Sequence, residues 1–138
     1  MKKTATLLTA LALTGCGALS PYEVADIGER GGYCSNVRLL GVADQDAYLS
    51  ALMEGGYINS TDAAIFRESV ADGSKTISTG MSECGVRMVW GAPDDVDHYG
   101  SEYGQQMTFT YISDAGYYKY DYDFVRFRNG VVTSWSLD

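Results

Sequence analysis

Phe124-Val125-Arg126-Phe127-Arg128-Asn129-Gly130-Val131-Val132-Thr133-Ser134-Trp135 is the stretch whose reading decides the fold. Two runs rich in branched and aromatic residues meet at Asn129-Gly130. A type I′ turn needs positive φ at both central positions, and Asn-Gly meets that demand at least cost, so the runs form an antiparallel hairpin. A two-residue loop fixes the register: Arg128 opposite Val131, Phe127 opposite Val132, Phe124 opposite Trp135 and Tyr122 opposite Leu137. One face then carries Tyr122, Phe124, Trp135 and Leu137 with Arg126 and Arg128, and the other carries Val125, Phe127 and Val132. A sheet covered on one side normally turns polar residues to water. Here both faces hold aromatic or branched groups. Either the sheet is covered twice, by the N-terminal helices on one side and the third helix on the other, or one face is an exposed aromatic binding patch.

Upstream, Gln106 to Ile112 alternates Met107, Phe109 and Tyr111 against Gln106, Thr108 and Thr110, a strand pattern; Tyr118 to Arg128 is the long first arm of the hairpin. Before these strands lies a helix whose limits are written locally. Ser82 is a strong N-cap, Met81 and Val86 are placed for a hydrophobic staple, and Val86, Val89 and Trp90 form an apolar stripe. Gly91 ends the helix and Pro93 prevents its resumption. Two more helices are expected earlier. One is capped by Asp44 or Asp46, with Tyr48, Leu49, Leu52 and Met53 on one face and Gly55-Gly56 at its end. The other is capped by Ser60 or Thr61, with Ala63, Phe66 and Val70 on one side and Gly73 at its end. The short link between them suits an antiparallel pair. The pattern at Asn36 to Val42 allows a strand.

The first fifteen residues are of another kind. Lys2 and Lys3 precede an apolar run from Ala5 to Leu13 that ends in Leu13-Thr14-Gly15-Cys16. This is the make-up of a secretory signal, and the run is about half the ~20 residues needed to span a bilayer. Leu-Thr-Gly-Cys resembles the lipobox of bacterial lipoproteins. That resemblance implies cleavage before Cys16 and lipidation there, with acyl chains contributing about 0.8 kcal/mol per buried methylene. Gly17 after the modified Cys resembles an outer-membrane sorting signal. The expected organisation is a signal peptide over 1–15, a lipidated tether over 16–22, an N-terminal helical extension over 23–75 and a core domain over 76–138.

Composition limits the partners. The chain has 18 acidic and 10 basic residues, a net charge of −8, and losing Lys2 and Lys3 with the leader takes it to −10. An acidic body disfavours nucleic acid and peripheral binding to anionic lipid. It suits a soluble domain held at a membrane by its lipid. Eleven tyrosines suit strands and interfaces, where a ring is covered and a hydroxyl stays wet. With Cys16 assigned to lipid, Cys34 and Cys84 remain. An oxidising periplasm favours a disulfide between them, and two free buried thiols are the alternative.

Little points to catalysis. Asp94, Asp95, Asp97 and His98 bring three carboxylates and the only histidine within five residues. They could hold a divalent cation, but a solvated loop after the helix stop accounts for them more simply. Gly73-Ser74-Lys75-Thr76 lacks the order and the upstream glycine of a phosphate loop. The expectation is no enzyme, no cofactor and no metal.

Ile77-Ser78-Thr79-Gly80-Met81-Ser82, Val86, Trp90-Gly91-Ala92-Pro93, the strand Phe109 to Ile112 and the turn Arg126-Phe127-Arg128-Asn129-Gly130 follow one another in an order that resembles the SmpA/OmlA (BamE-like) lipoprotein domain. That fold is similar in architecture to β-lactamase inhibitor protein. The resemblance covers residues 76 to 137. It implies an α+β, two-layer fold with short helices on a three-stranded antiparallel sheet, while the family's role does not carry across on fold alone. The extension with two helices and Cys34 departs from the family's short linker, and a Cys34–Cys84 bond would fasten that extension to the core. The function expected is a lipid-anchored, non-enzymatic binding or assembly accessory of the cell envelope, with an envelope protein as partner. Its candidate contact surface is Tyr118, Tyr120, Tyr122, Phe124, Arg126 and Trp135. The alternative is an inhibitor or ligand-binding module that turns the same face on a periplasmic enzyme or cell-wall fragment.

Overall fold

A computed structural model describes residues 34–117 and 119–137. The leader, Cys16, the tether, the first part of the extension and Tyr118 lie outside the described residues. The fold is α+β. A 3-10 turn, Cys34–Leu39, precedes helices α1 (Val42–Glu54), α2 (Ser60–Asp72) and α3 (Glu83–Trp90). Strands β1 (Asp95–Ser101), β2 (Gly104–Gly116), β3 (Lys119–Arg128) and β4 (Val131–Ser136) then form one antiparallel sheet in sequence order.

Two expectations are corrected here. Asn36 to Val42 is no strand: the 3-10 turn takes its first part, because the disulfide from Cys34 anchors this segment beside α3 rather than at a sheet edge. The sheet has four strands rather than three. The segment expected as a solvated loop after Pro93 is β1, paired with β2 from Asp95↔Thr110 to Ser101↔Gly104. Exposure of nearly every β1 side chain hid it, since an edge strand with little to bury shows no apolar alternation.

The caps are local, but two lie elsewhere than expected. Helix α1 starts after Gly41 with no side-chain cap, and Asp44 sits inside its first turn. Helix α2 is capped by Asn59, whose side chain accepts from the Asp62 N–H while Asp62 accepts from the Asn59 N–H, a reciprocal box. This pair satisfies two backbone donors at once, which Ser60 or Thr61 one or two residues later would not. Ser82 caps α3 as expected, accepting from the Gly85 N–H at 3.0 Å.

Helix α3 lies between two hydrophobic clusters. Cys84 and Met88, one turn apart, join Val37, Leu49, Leu52, Ile58 and Phe66 of the helical part. Val86 and Val89 on its other side join Ile77, Met81, Met107, Phe109, Val125, Phe127 and Val132 against the sheet. The sulfurs of Cys34 and Cys84 are at bonding distance with Cα atoms 5.3 Å apart, which fastens the extension to α3. On α2 the buried face holds Asp62, Ala63, Phe66 and Ser69 rather than Val70, which is exposed.

Asp62 is fully buried, and its carboxylate also accepts from the Ser82 N–H at 2.9 Å, so one side chain caps α2 and steadies the start of α3. The approach is so close that a Cβ on Gly85 would lie 1.9 Å from Asp62 Oδ1. Asn59 adds a bond from its side-chain amide to the Gly80 carbonyl at 2.9 Å.

Asp62→Ala leaves two buried N–H groups without acceptors and should destabilise the protein by about 2–4 kcal/mol, read from guanidinium melts. Burial pushes the Asp62 carboxyl above its ordinary value, against the Asn59 and Ser82 donors that pull it down. The fold therefore binds this proton more tightly than the unfolded chain does. The stability it contributes is fullest below the ordinary carboxylate value and falls as pH rises through the native one. Asp62→Asn cannot ionise, so the wild type's margin over it should shrink as pH rises above the ordinary carboxylate value. A margin that grows with pH would contradict the assignment.

Candidate binding surface

Cross-strand partners share a face, so the register assigns every sheet side chain to one side. Phe109, Val125, Met107, Phe127 and Val132 face α3 and are buried. The rows between them face away: Asp95, Thr110, Phe124 and Ser136; then Asp97, Thr108, Arg126 and Ser134; then Tyr99, Gln106 and Arg128. Beyond the ends of β1 and β4 the outer face continues with Ile112 opposite Tyr122 and Asp114 opposite Tyr120. Both hydrophobic clusters lie on the other side of the sheet and contain none of these residues.

This outer face has chemical order. Tyr120, Tyr122, Phe124, Arg126 and Arg128 follow at alternate positions along β3. The rings of Tyr122 and Phe124 stack at 6.5 Å with planes 12° apart, and the Arg126 guanidinium lies 6.0 Å from the Phe124 ring. Asp95 and Asp97 line β1, two strand spacings or about 10 Å away, with the neutral Thr108 and Thr110 of β2 between them. Tyr120 is 59% exposed, Tyr122 41% and Ile112 43%. Arginines and half-exposed aromatics are the residues enriched where proteins bind.

Trp135 is not part of it. The Asn129-Gly130 turn has positive φ at both residues, 50° and 83°, and the first two pairs, Arg128↔Val131 and Phe127↔Val132, follow the expected register. Then the register slips: Arg126 pairs with Ser134 and Val125 with Trp135, so Thr133 is an extra residue in β4. Its hydroxyl donates to the Arg126 carbonyl at 3.2 Å. One inserted residue moves everything beyond it to the opposite side. Trp135, expected opposite Phe124, therefore stands on the α3 side beside Val125, and Leu137 follows it there. Nothing in the run Val131 to Trp135 marks the bulge in advance. Of the expected surface the structure brings together Tyr120, Tyr122, Phe124 and Arg126, removes Trp135, and adds Tyr99, Ile112 and Arg128. Tyr99 and the acidic row are out of reach of a sequence reading that makes the segment after Pro93 a loop.

The Asp94 to His98 cluster is dispersed by strand alternation. Asp95 and Asp97 face out, while Val96 and His98 face the α3 side opposite Phe109 and Met107. Among the described residues, no group of three or more His, Cys, Asp or Glu side chains converges as a metal site. Asp94 instead holds the entry to the sheet. Its N–H donates to the Thr110 carbonyl at 2.8 Å, and its carboxylate accepts from the Ile112 N–H at 2.6 Å. No helix among the described residues is long and apolar enough to cross a membrane. The chain matches no known protein family, no curated protein and no solved structure.

The turn that leads into β1 is fixed by Tyr111, whose hydroxyl donates to the Gly91 carbonyl at 2.8 Å and whose ring meets Trp90 edge-on at 5.3 Å. Burial pushes the Tyr111 phenol above its ordinary value, opposed by Arg87 and aided by Asp94, so it keeps its proton at all physiological pH. Tyr111→Phe should cost about 1 kcal/mol in thermal or guanidinium unfolding and leave the sheet intact. Loss of the folded state would mean that the turn depends on this hydroxyl far more than a single hydrogen bond accounts for.

Proposed function

We propose that this chain is a lipid-anchored protein facing the periplasm from the outer membrane, working by binding as a non-enzymatic accessory of the cell envelope. The observation that carries the binding role is the outer sheet face, where Tyr120, Tyr122, Phe124 and Arg126 share a surface with Ile112 that neither core cluster claims. Water-facing sheet surfaces are ordinarily polar, and clustered exposed rings beside arginine are costly unless something covers them. Leu13-Thr14-Gly15-Cys16 behind a basic and apolar leader supports the anchor and the compartment. A Cys34–Cys84 pair at bonding distance suits an oxidising location.

The resemblance to the SmpA/OmlA domain supports the same reading at the level of fold. A helix opened by Gly80-Met81-Ser82 and closed by Gly91-Ala92-Pro93 packs on an antiparallel sheet that ends in the Asn129-Gly130 hairpin. The fourth strand and the disulfide-fastened helical extension set this chain apart from the three-stranded pattern. They give its partner a different perimeter to meet.

A photo-crosslinking residue in place of Tyr122 should capture an envelope protein in intact cells. Tyr122→Ala with Phe124→Ala should weaken that complex by about 2 kcal/mol or more, as for hot-spot residues, while Trp135→Ala, on the other side of the sheet, should leave recovery unchanged. Equal recovery by the double variant would remove the outer face from the reading, and recovery of a periplasmic hydrolase would turn it toward inhibition. Separately, Cys16→Ser should shift the protein from the membrane pellet to the soluble fraction, and mass spectrometry of native material should find acyl chains at Cys16. An intact leader or a free thiol there would end the anchored reading.

A further inference from the structure

The two edges of the sheet are treated differently. At β4 the Gly80 N–H donates to the Val132 carbonyl at 2.9 Å, the Val132 N–H donates to the Met81 carbonyl at 2.8 Å, and Ser82 bridges Val131. The extra residue at Thr133 bends the remainder of that edge. Strand β1 has no such cover: among the described residues, no strand pairs with its side away from β2. Its register is unbroken from Asp95↔Thr110 to Ser101↔Gly104, and it contains no proline, bulge or lysine, devices that commonly protect an edge.

The outward backbone groups of β1 follow from β2. The Gln105 carbonyl accepts from the Asn129 N–H on the β3 side, and the Thr110 carbonyl accepts from the Asp94 N–H on the β1 side. Successive residues of a strand turn their N–H and C=O groups to alternate sides. Gln106, Thr108 and Thr110 therefore bond to their partners Tyr99, Asp97 and Asp95, while Val96, His98 and Gly100 direct their backbone groups away from the sheet. Donors and acceptors at that spacing match an extended peptide backbone.

Side chains select the peptide. On the outer face the edge presents the exposed Asp95 and Asp97, and the arginines of β3 stand two strands away. On the α3 side it presents Val96, which packs against the sheet cluster, and His98. We propose that β1 accepts an extended basic segment of a partner protein as a fifth antiparallel strand, with Lys or Arg beside Asp95 and Asp97 and an apolar residue beside Val96. Opposite charges across a strand pair stabilise it, and like charges destabilise it. A second copy of β1 would bring its own acidic row to a chain of net charge −8, so the residues that admit a basic strand also keep the molecules apart.

The probe is the peptide acetyl-Lys-Val-Lys-Val-Lys-Val-Lys-amide. Fluorescence anisotropy of its labelled form should show saturable binding to the full chain. The Val96 and His98 amides should exchange rapidly in the free protein and about tenfold or more slowly in the complex, while those of Asp97 and Tyr99 are protected in both. In antiparallel pairing the peptide's valines share the α3 side with Val96 and His98 and turn their N–H groups to β1. N-methylation of the valines should therefore abolish binding, and N-methylation of the lysines should not. Asp95→Lys with Asp97→Lys should weaken binding about tenfold or more, equivalent to about 1.4 kcal/mol, with unchanged circular dichroism. Binding that survives methylation of the valines is attraction between net charges alone and would overturn the proposal. Val96 and His98 amides already protected in the free chain, a dimer that competes with the peptide, or no saturation by about 1 mM peptide would do the same. The edge is separate from the rings of β3: Tyr122→Ala with Phe124→Ala should leave the peptide bound, so failure here and failure of the outer face as a binding surface are told apart.

Discussion

Helix α3 has only eight residues and is buried from two directions. Cys84 and Met88 face the helical part while Val86 and Val89 face the sheet. An isolated helix this short does not hold its shape in water, so its form depends on what closes around it. Three contacts fix it in place. Ser82 caps its first turn, the Asp62 carboxylate of a neighbouring helix takes the Ser82 N–H, and Cys84 joins Cys34 of the 3-10 turn. Only glycine at position 85 admits Asp62 at this distance, since a Cβ there would collide with the carboxylate. Remove this junction and the helical extension and the sheet become two half-cores, each with an open apolar side.

The two surfaces of the sheet follow from that junction. Because the described part of the extension packs on the far side of α3, it covers nothing on the outer face. Among the described residues no helix covers that face, and Tyr120 and Tyr122 of β3 are exposed there. On the inner side the short helix cannot reach the end of a thirteen-residue strand, and a walled shelf is left beyond Trp90. The extra residue at Thr133 then distributes the aromatic groups between the two surfaces, sending Trp135 and Leu137 inward and leaving Tyr122 and Phe124 outside. A slip at one position in an edge strand thus decides what each surface offers.

Much of the architecture is legible in the sequence. The Asn129-Gly130 turn, the Ser82 cap, the Gly91 stop before Pro93 and the alternation in Met107, Phe109 and Tyr111 each announce their element, because each signal is complete within a few residues. Val125, Phe127 and Val132 share one face by pattern and are buried as one face. What escapes has no local signature. Strand β1 is exposed along nearly its whole length and is held by backbone bonds to β2, so its sequence, Asp95-Val96-Asp97-His98-Tyr99, lacks the pattern that betrays a buried strand. The cap of α2 is the exception, since Asn59 and Asp62 three residues apart are a local pattern that the neighbouring Ser60 and Thr61 obscure.

The sequence by itself determined the turns, most helix limits and the α+β class, since these rest on φ preferences and hydrogen bonds between residues close along the chain. The tertiary structure decided which sheet face is covered, where β4 slips, that Asp62 sits fully buried between two helices, and that Cys34 comes to Cys84. Those outcomes depend on the competition of distant segments for the same apolar surface and the same buried donors. Helix α3 settles that competition by lying between the extension and the sheet.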